Sequence, residues 1–317
     1  MKKTFLLSTF LMLVILVSEA QTRKYIAQFS HMQGYFNPAL TGYEGSAVRG
    51  LVRNQWVGFE GAPKTYFASV ELDFMEISGK KDPMEANKNT VGFNFINDQY
   101  GVFTETEMIG NYSSRIRLNE VTGLRLGAGI NYKNINLDGT RLSPDQPADP
   151  KIMQYMNGFA NMQILDFNLG IAVTHPNYYL SYAVQNVNRG MVNSGDVFME
   201  RSPRIGIFQG GYRNAITEDL SLAFNLFYRH QENLPSNTEF NFKVLMMDKI
   251  WLGLGHRVRY ANNFQLGFVF PMLRLGYVYE MPMSKTYLLS NTTHEFLAVI
   301  PLFRKNLKES SNEVLIW

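Results

Sequence analysis

The chain has 317 residues, 30 basic and 27 acidic side chains for a formal net charge of +3, 14% aromatic residues and no cysteine. A balance so close to neutral leaves no electrostatic footprint for nucleic acid. Without cysteine there is neither a disulfide framework nor a thiolate metal site.

The chain opens with Lys2 and Lys3, an apolar stretch over residues 5–17, and Ser18-Glu19-Ala20. This is the layout of a cleaved secretory signal peptide, residues 1–20. A short membrane anchor is the competing reading, but about 13 apolar residues fall short of the about 20 that span a bilayer. Gln21 would then begin the exported chain, with no cysteine to carry a lipid. No later run is apolar enough for a spanning helix, so an integral membrane form requires strands closed into a barrel. A soluble secreted β protein is the alternative class.

Residues 21–45 are expected to form an N-terminal periplasmic arm ahead of the first strand. It carries Phe36-Asn37-Pro38-Ala39 and Gly42; Asn-Pro initiates turns and glycine accepts positive φ. Residues 46–303 then alternate with period 2, the mark of strands with two unlike faces. Tyr66, Ala68, Val70, Leu72 and Phe74 oppose Thr65, Phe67, Ser69, Glu71 and Asp73. Leu220, Leu222, Phe224, Leu226 and Tyr228 oppose Ser221, Ala223, Asn225, Phe227 and Arg229.

Segments of about ten residues recur with aromatics near their ends (Trp56, Tyr66, Tyr132, Tyr228, Trp251, Tyr260, Tyr279), which predicts an all-β transmembrane antiparallel barrel of about 14 strands with aromatic girdles. The strands centre near Val52, Val70, Phe93, Tyr112, Leu126, Leu169, Tyr182, Ile207, Phe224, Phe242, Leu254, Leu266, Leu275 and Leu297. With both termini periplasmic, the long polar stretches 135–165, 188–203 and 281–293 fall at outer positions. The tight turns His175-Pro176-Asn177 and Met247-Asp248-Lys249 fall at inner ones. The charged stretch 75–88 is long yet inner, which hints at a periplasmic contact.

The inward face gathers charge: Arg49, Arg53, Arg115, Arg117, Arg125, Lys133, Arg229, Lys243, Arg257, Arg259 and Arg274, with Glu71, Asp73, Glu105, Glu107 and Glu239. Such a set either pairs and fills the lumen or lines an anion-leaning pore. No catalytic, cofactor or metal constellation is found. There is no Gly-x-Ser-x-Gly elbow and no P-loop, and the five histidines are scattered. The chain reads as a non-enzyme without cofactor or metal.

Three linked elements carry a resemblance. The arm motif Phe36-Asn37-Pro38-Ala39 with Gly42 is followed by Arg53, Gln55, Trp56 and Gly58, and then by Gly61-Ala62-Pro63. Near the other end stands His294-Glu295. Together they resemble the PorP/SprF family of type IX secretion outer-membrane proteins of Bacteroidetes. The resemblance implies secretion or surface attachment of particular adhesin-like cargo, in some members for gliding motility. The partners it implies are cargo C-terminal domains and periplasmic components of the machinery, within outer-membrane lipid. The motif residues would serve as scaffold or as partner contacts. A small-solute porin is the alternative function.

The chain departs from that pattern after Phe303, where a strand already ends on an aromatic. Residues 304–317 form a predicted periplasmic tail, basic first (Arg304, Lys305, Lys308) and apolar last (Val314-Leu315-Ile316-Trp317). Its apolar end calls for burial: in a partner, on the barrel's own rim, or beside the last strand.

Overall fold

The computed structural model describes residues 24–78, 88–142, 153–198, 202–232, 234–283, 292–303, 314, 316 and 317. Its strands are β1 (Ala47–Asn54), β2 (Lys64–Asp73), β3 (Lys88–Tyr100), β4 (Phe103–Arg117), β5 (Gly123–Asp138), β6 (Phe159–Thr174), β7 (Tyr178–Gln185), β8 (Val192–Gly195), β9 (Ile205–Thr217), β10 (Leu220–Gln231), β11 (Leu234–Met246), β12 (Ile250–Arg257), β13 (Ala261–Val269), β14 (Arg274–Pro282) and β15 (Thr293–Pro301). Each pairs antiparallel with its neighbour in sequence, except that β8 adds only to the outer part of β6 while β7 pairs with β9. Pairing of β15 with β1, from Ala47↔Pro301 to Asn54↔His294, closes a ring of fourteen strands. Closure satisfies the ladder of every strand, which lipid requires. Each predicted strand centre lies inside one of the fourteen.

Alternation sorts the faces as the sequence implied. On β5, Leu126, Ile130 and Tyr132 are exposed, while Arg125 and Asn131 are buried. On β10, Phe224 and Tyr228 are exposed and Ser221, Ala223, Asn225 and Phe227 buried. The exposed row is the lipid-facing band. The inner turn Met247-Asp248 has φ of 52° and 53°, the left-handed pair of a type I′ hairpin.

Several boundaries differ from expectation. The stretch 135–165 is not one loop, because β5 runs on to Asp138 and β6 starts at Phe159. Stretch 188–203 contains β8. Of stretch 75–88, Asp73 caps a helical turn at Phe74–Ile77 by accepting from Met75 N at 3.0 Å, and residues 79–87 lie outside those described, as do residues 284–291. The outer extension has a physical cause. Beyond Tyr132 the polarity of the two faces inverts with no break in the ladder. Asn134, Asn136, Asn161 and Gln163 now face outward, and Asn161 Nδ2 donates to Asn136 Oδ1 at 2.6 Å. Ile135, Leu137, Ala160, Met162 and Ile164 turn inward and bury together with Phe198 of the β7–β9 connection. A wall with lipid outside must be apolar outside; a wall with water outside must not. The inversion therefore marks the outer membrane boundary.

This boundary is testable on one face of one strand. Ile130→Arg, in the band, is expected to cost about 2–4 kcal/mol of barrel stability. Asn136→Arg, outward on the same strand beyond the boundary, should cost about 0.5 kcal/mol or less. Urea unfolding of the refolded barrel in bicelles measures both, and equal losses would remove the boundary.

Candidate functional site

The arm expected in the periplasm lies instead inside the barrel and fills the lumen, because its apolar side chains find apolar inward partners there. From Ile26 to Gly42 every residue but Tyr35 is buried. Phe29, Met32 and Phe36 pack on inward-facing Leu51, Phe67, Ile109, Phe227 and Leu297. The Phe227 ring lies 5.2 Å from Phe29 and 4.8 Å from Phe36. Burying a phenylalanine contributes roughly 1.5–3 kcal/mol, so these rings alone anchor the arm firmly.

The Asn-Pro-Ala motif sits in a notch cut for it. Asn37 Oδ1 accepts from Ala39 N at 2.9 Å and caps the short 3-10 turn Pro38–Leu40. A Cβ on Gly127 of β5 would overlap the Pro38–Ala39 backbone, and one on Gly170 of β6 would overlap Asn37. The Ala39 carbonyl then accepts from Ser113 Oγ at 2.9 Å and Arg125 Nε at 2.8 Å; Arg125 also donates to the Thr41 carbonyl at 2.6 Å. Gly42 has φ +63° and donates its N–H to Glu71 at 2.9 Å, the carboxylate that Arg49 pairs at 2.9 Å.

The two distant motifs meet at the barrel seam. Arg53 and Glu295 are direct cross-strand neighbours on β1 and β15. Their side chains pair at 3.0 Å, and Arg53 reaches Glu280 of β14 at 2.8 Å. Glu295 also accepts from the backbone N–H groups of Ala27 at 3.0 Å and Gln28 at 2.9 Å. His294 points the other way, towards Tyr277 Oη at 2.7 Å. Just beyond β1, Trp56 N donates to Thr293 Oγ1 at 3.3 Å, Gln55 N to the Pro63 carbonyl at 3.0 Å, and Ala62 N to the Phe59 carbonyl at 3.2 Å. Gly58 and Gly61 take positive φ in this loop. Trp56 is half-buried there rather than lying on the strand.

Other luminal charges pair in the same manner. Lys24 and Lys133 each contact Glu105 and Glu107, at 3.0 to 3.2 Å. Arg257 pairs with Glu239 at 2.8 Å and Glu280 at 3.1 Å, and lies 4.5 Å from the centre of the Tyr25 ring. Arg229 donates to the Lys24 carbonyl at 3.2 Å. Three of the expected luminal residues stand at or near the ends of the barrel. Arg259 lies in the β12–β13 turn, exposed, with φ 69°. Arg117 is half-buried at the inner end and donates to the Asn119 carbonyl at 3.0 Å. Arg115 is half-buried against Gly123. Among the described residues no group of three or more metal-ligating side chains is assembled.

The profile of the type IX secretion system membrane proteins PorP/SprF matches residues 18–300. The chain belongs to that family. No curated protein matches it. Among solved structures, the CymD monoaromatic hydrocarbon channel has TM-score 0.49 and 10% identity, covering 90% of this chain and 95% of its own. Omp33 of Acinetobacter baumannii has TM-score 0.46 and 8% identity, covering 81% and 97%. The toluene transporter TbuX of Ralstonia pickettii has TM-score 0.46 and 10% identity, covering 83% and 90%. This member is a type IX secretion outer-membrane barrel.

The sequence placed the tail in the periplasm, but its last residues lie elsewhere. Val314, Ile316 and Trp317 are buried inside the barrel. Val314 and Ile316 pack on Leu245, Trp251 and Val269, and Trp317 packs on Tyr179, Ala172 and Leu40. Trp251 is accordingly luminal and not a girdle residue; Gly267 opposite leaves room for its ring. His31 of the arm lies 3.0 Å from Lys243 Nζ. Sequence reasoning missed Gly170, Glu280 and Lys24. A usable signal existed in Phe67 and Phe227, apolar side chains in otherwise polar inward rows.

Glu295→Ala is expected to leave the Ala27 and Gln28 N–H groups without their acceptor and Arg53 with Glu280 as its remaining carboxylate, and to cost about 3–5 kcal/mol. His294→Ala, which loses an outward hydrogen bond, should cost about 1 kcal/mol. Urea midpoints, with limited trypsin digestion of the arm as a second readout, measure the difference. Equal losses would deny the clasp its role.

Proposed function

We propose that this barrel is a non-conducting outer-membrane partner of the type IX machinery, supporting secretion or surface attachment of particular adhesin-like cargo. The observation that carries the reading is the lumen filled by the chain's own arm in a member of a secretion family. A porin needs a water path. Here Phe29, Met32 and Phe36 occupy the middle of the barrel, and paired ions close the space around them. That filling weighs against the small-solute porin.

In this reading the lumen is structural, and recognition belongs to the two rims. The raised wall of β4, β5 and β6 beyond the membrane boundary offers a rigid surface to cargo C-terminal domains. The inner turns and the segment after β2 offer contacts to periplasmic ring components. Residues 1–20 act as a cleaved leader that delivers the chain to the outer membrane, and residues 21–45, 46–303 and 304–317 serve as arm, barrel and tail. No catalytic step is assigned.

Two measurements test this. Purified protein in planar bilayers should show no steady conductance; a stable open channel would favour the porin. Deleting the gene should strip a subset of type IX substrates from the cell surface while others remain, and native pull-downs should recover those same substrates. An unchanged surface proteome would sink the cargo role.

A further inference from the structure

We infer that the lumen wall at the inner mouth is a receptor site for a short apolar peptide segment that carries an aromatic ring. Val314, Ile316 and Trp317 of the chain itself occupy it, as a separable latch over the N-terminal arm. The inference rests on the filled lumen alone and does not depend on the cargo reading.

The wall is built for such a segment. Inward positions of β10 to β13 carry mostly polar side chains: Ser221, Asn225, Asn241, Lys243, Asn263 and Gln265 are all buried. At the inner ends of β11, β12 and β13 the inward residues become Leu245, Trp251 and Val269, and Val314 and Ile316 cover them. Three apolar side chains facing an aqueous mouth would be a standing cost without an occupant.

The pocket next to them reads an aromatic ring and the carbonyl beside it. The Trp317 ring meets Tyr179 edge-on at 4.8 Å and Tyr43 at 5.7 Å, and the Arg213 guanidinium lies 4.0 Å from its centre. Stacking with aromatics and with a cation favours an electron-rich indole in this position. Gly211 gives the ring its space, since a Cβ there would stand 3.1 Å from it. The Trp317 carbonyl accepts from Lys243 Nζ at 2.6 Å and Ser30 Oγ at 2.9 Å.

Those partners divide into two groups. Tyr179, Arg213 and Lys243 belong to the wall, whereas Ser30 and Tyr43 belong to the arm. The residue therefore wedges arm against wall. Val314, Ile316 and Trp317 lie outside the ladder: β15 pairs with β1 without them, and their contacts named above are to side chains. Their release would leave the ladder whole while opening the inner end of the plug.

The test uses the full-length folded barrel with a protease site placed between residues 303 and 314 and cleaved after folding. Ser181→Cys is the reporter, being inward on β7, buried, and directly opposite Ala172, which packs on Trp317. After cleavage and dilution the terminal peptide should leave, and reaction of Cys at position 181 with a small impermeant thiol reagent should accelerate about tenfold, as local opening without global unfolding predicts. A fluorescent synthetic peptide with the sequence of residues 308–317 should then bind saturably and restore protection. The same peptide with Trp317→Ala should not. A cleaved tail that stays bound and does not exchange with labelled peptide overturns the latch. Departure without a change in reactivity overturns it as well, and equal binding of the alanine peptide overturns the ring pocket.

Discussion

Glu295 has no exposed surface, and two parts of the chain, the first strand and the arm, satisfy it together. Arg53 supplies the counter-charge across the β1–β15 seam, and the backbone N–H groups of Ala27 and Gln28 supply two further donors. A buried carboxylate is tolerable only when its lone pairs are met in this way. Because the donors come from the first strand and the arm, the carboxylate of the last strand couples barrel closure to plug insertion. Closure without the arm leaves the buried carboxylate short of two donors, and the arm without closure leaves it short of its counter-charge. That coupling gives the lumen one arrangement instead of a loose collection of polar side chains.

The interior is accordingly a mixture with a spatial logic. Apolar side chains of the arm meet apolar inward residues in a central cluster around Phe227 and Leu51. Ion pairs gather towards the outer half, where Lys24, Arg53 and Arg257 each face two carboxylates. The inner mouth closes with aromatics around Trp317. The barrel thus has a core of its own although its outer face is spent on lipid. The filling explains how a ring of fourteen strands can be rigid.

Outside the membrane the same strands obey a different rule. The ladder of β5 and β6 passes the girdle at Tyr132 and exchanges its faces, setting Asn134 and Asn136 outward and Ile135 and Leu137 inward. Nothing in the backbone changes there. Only the solvent on the outer side changes, and side-chain polarity follows it. The raised wall is a second small packed unit standing on the first, and it offers the secretion reading a rigid outer surface in place of flexible loops.

Much of this was legible along the chain. Strand number and the face of most residues follow from a period of two, because a pleated backbone in lipid has no other way to satisfy both its ladder and its side chains. The motif around Asn37 announced a turn, and its resemblance named the family. Local pattern could not say where the arm lies. Residues 24–42 carry no period, and their place in the lumen depends on a notch made by Gly127 and Gly170 on paired strands about ninety or more residues further along the chain. The same limit explains Trp251, whose position near a strand end suits a girdle equally well until the tail covers its inner face. It also explains Arg259, which the alternation sent inward although the turn ended the strand first. Pairings such as Arg53 with Glu295 span 242 residues of sequence. Period and propensity are properties of neighbours along the chain, whereas the occupancy of a lumen is a property of the closed ring, so it was decided by tertiary structure alone.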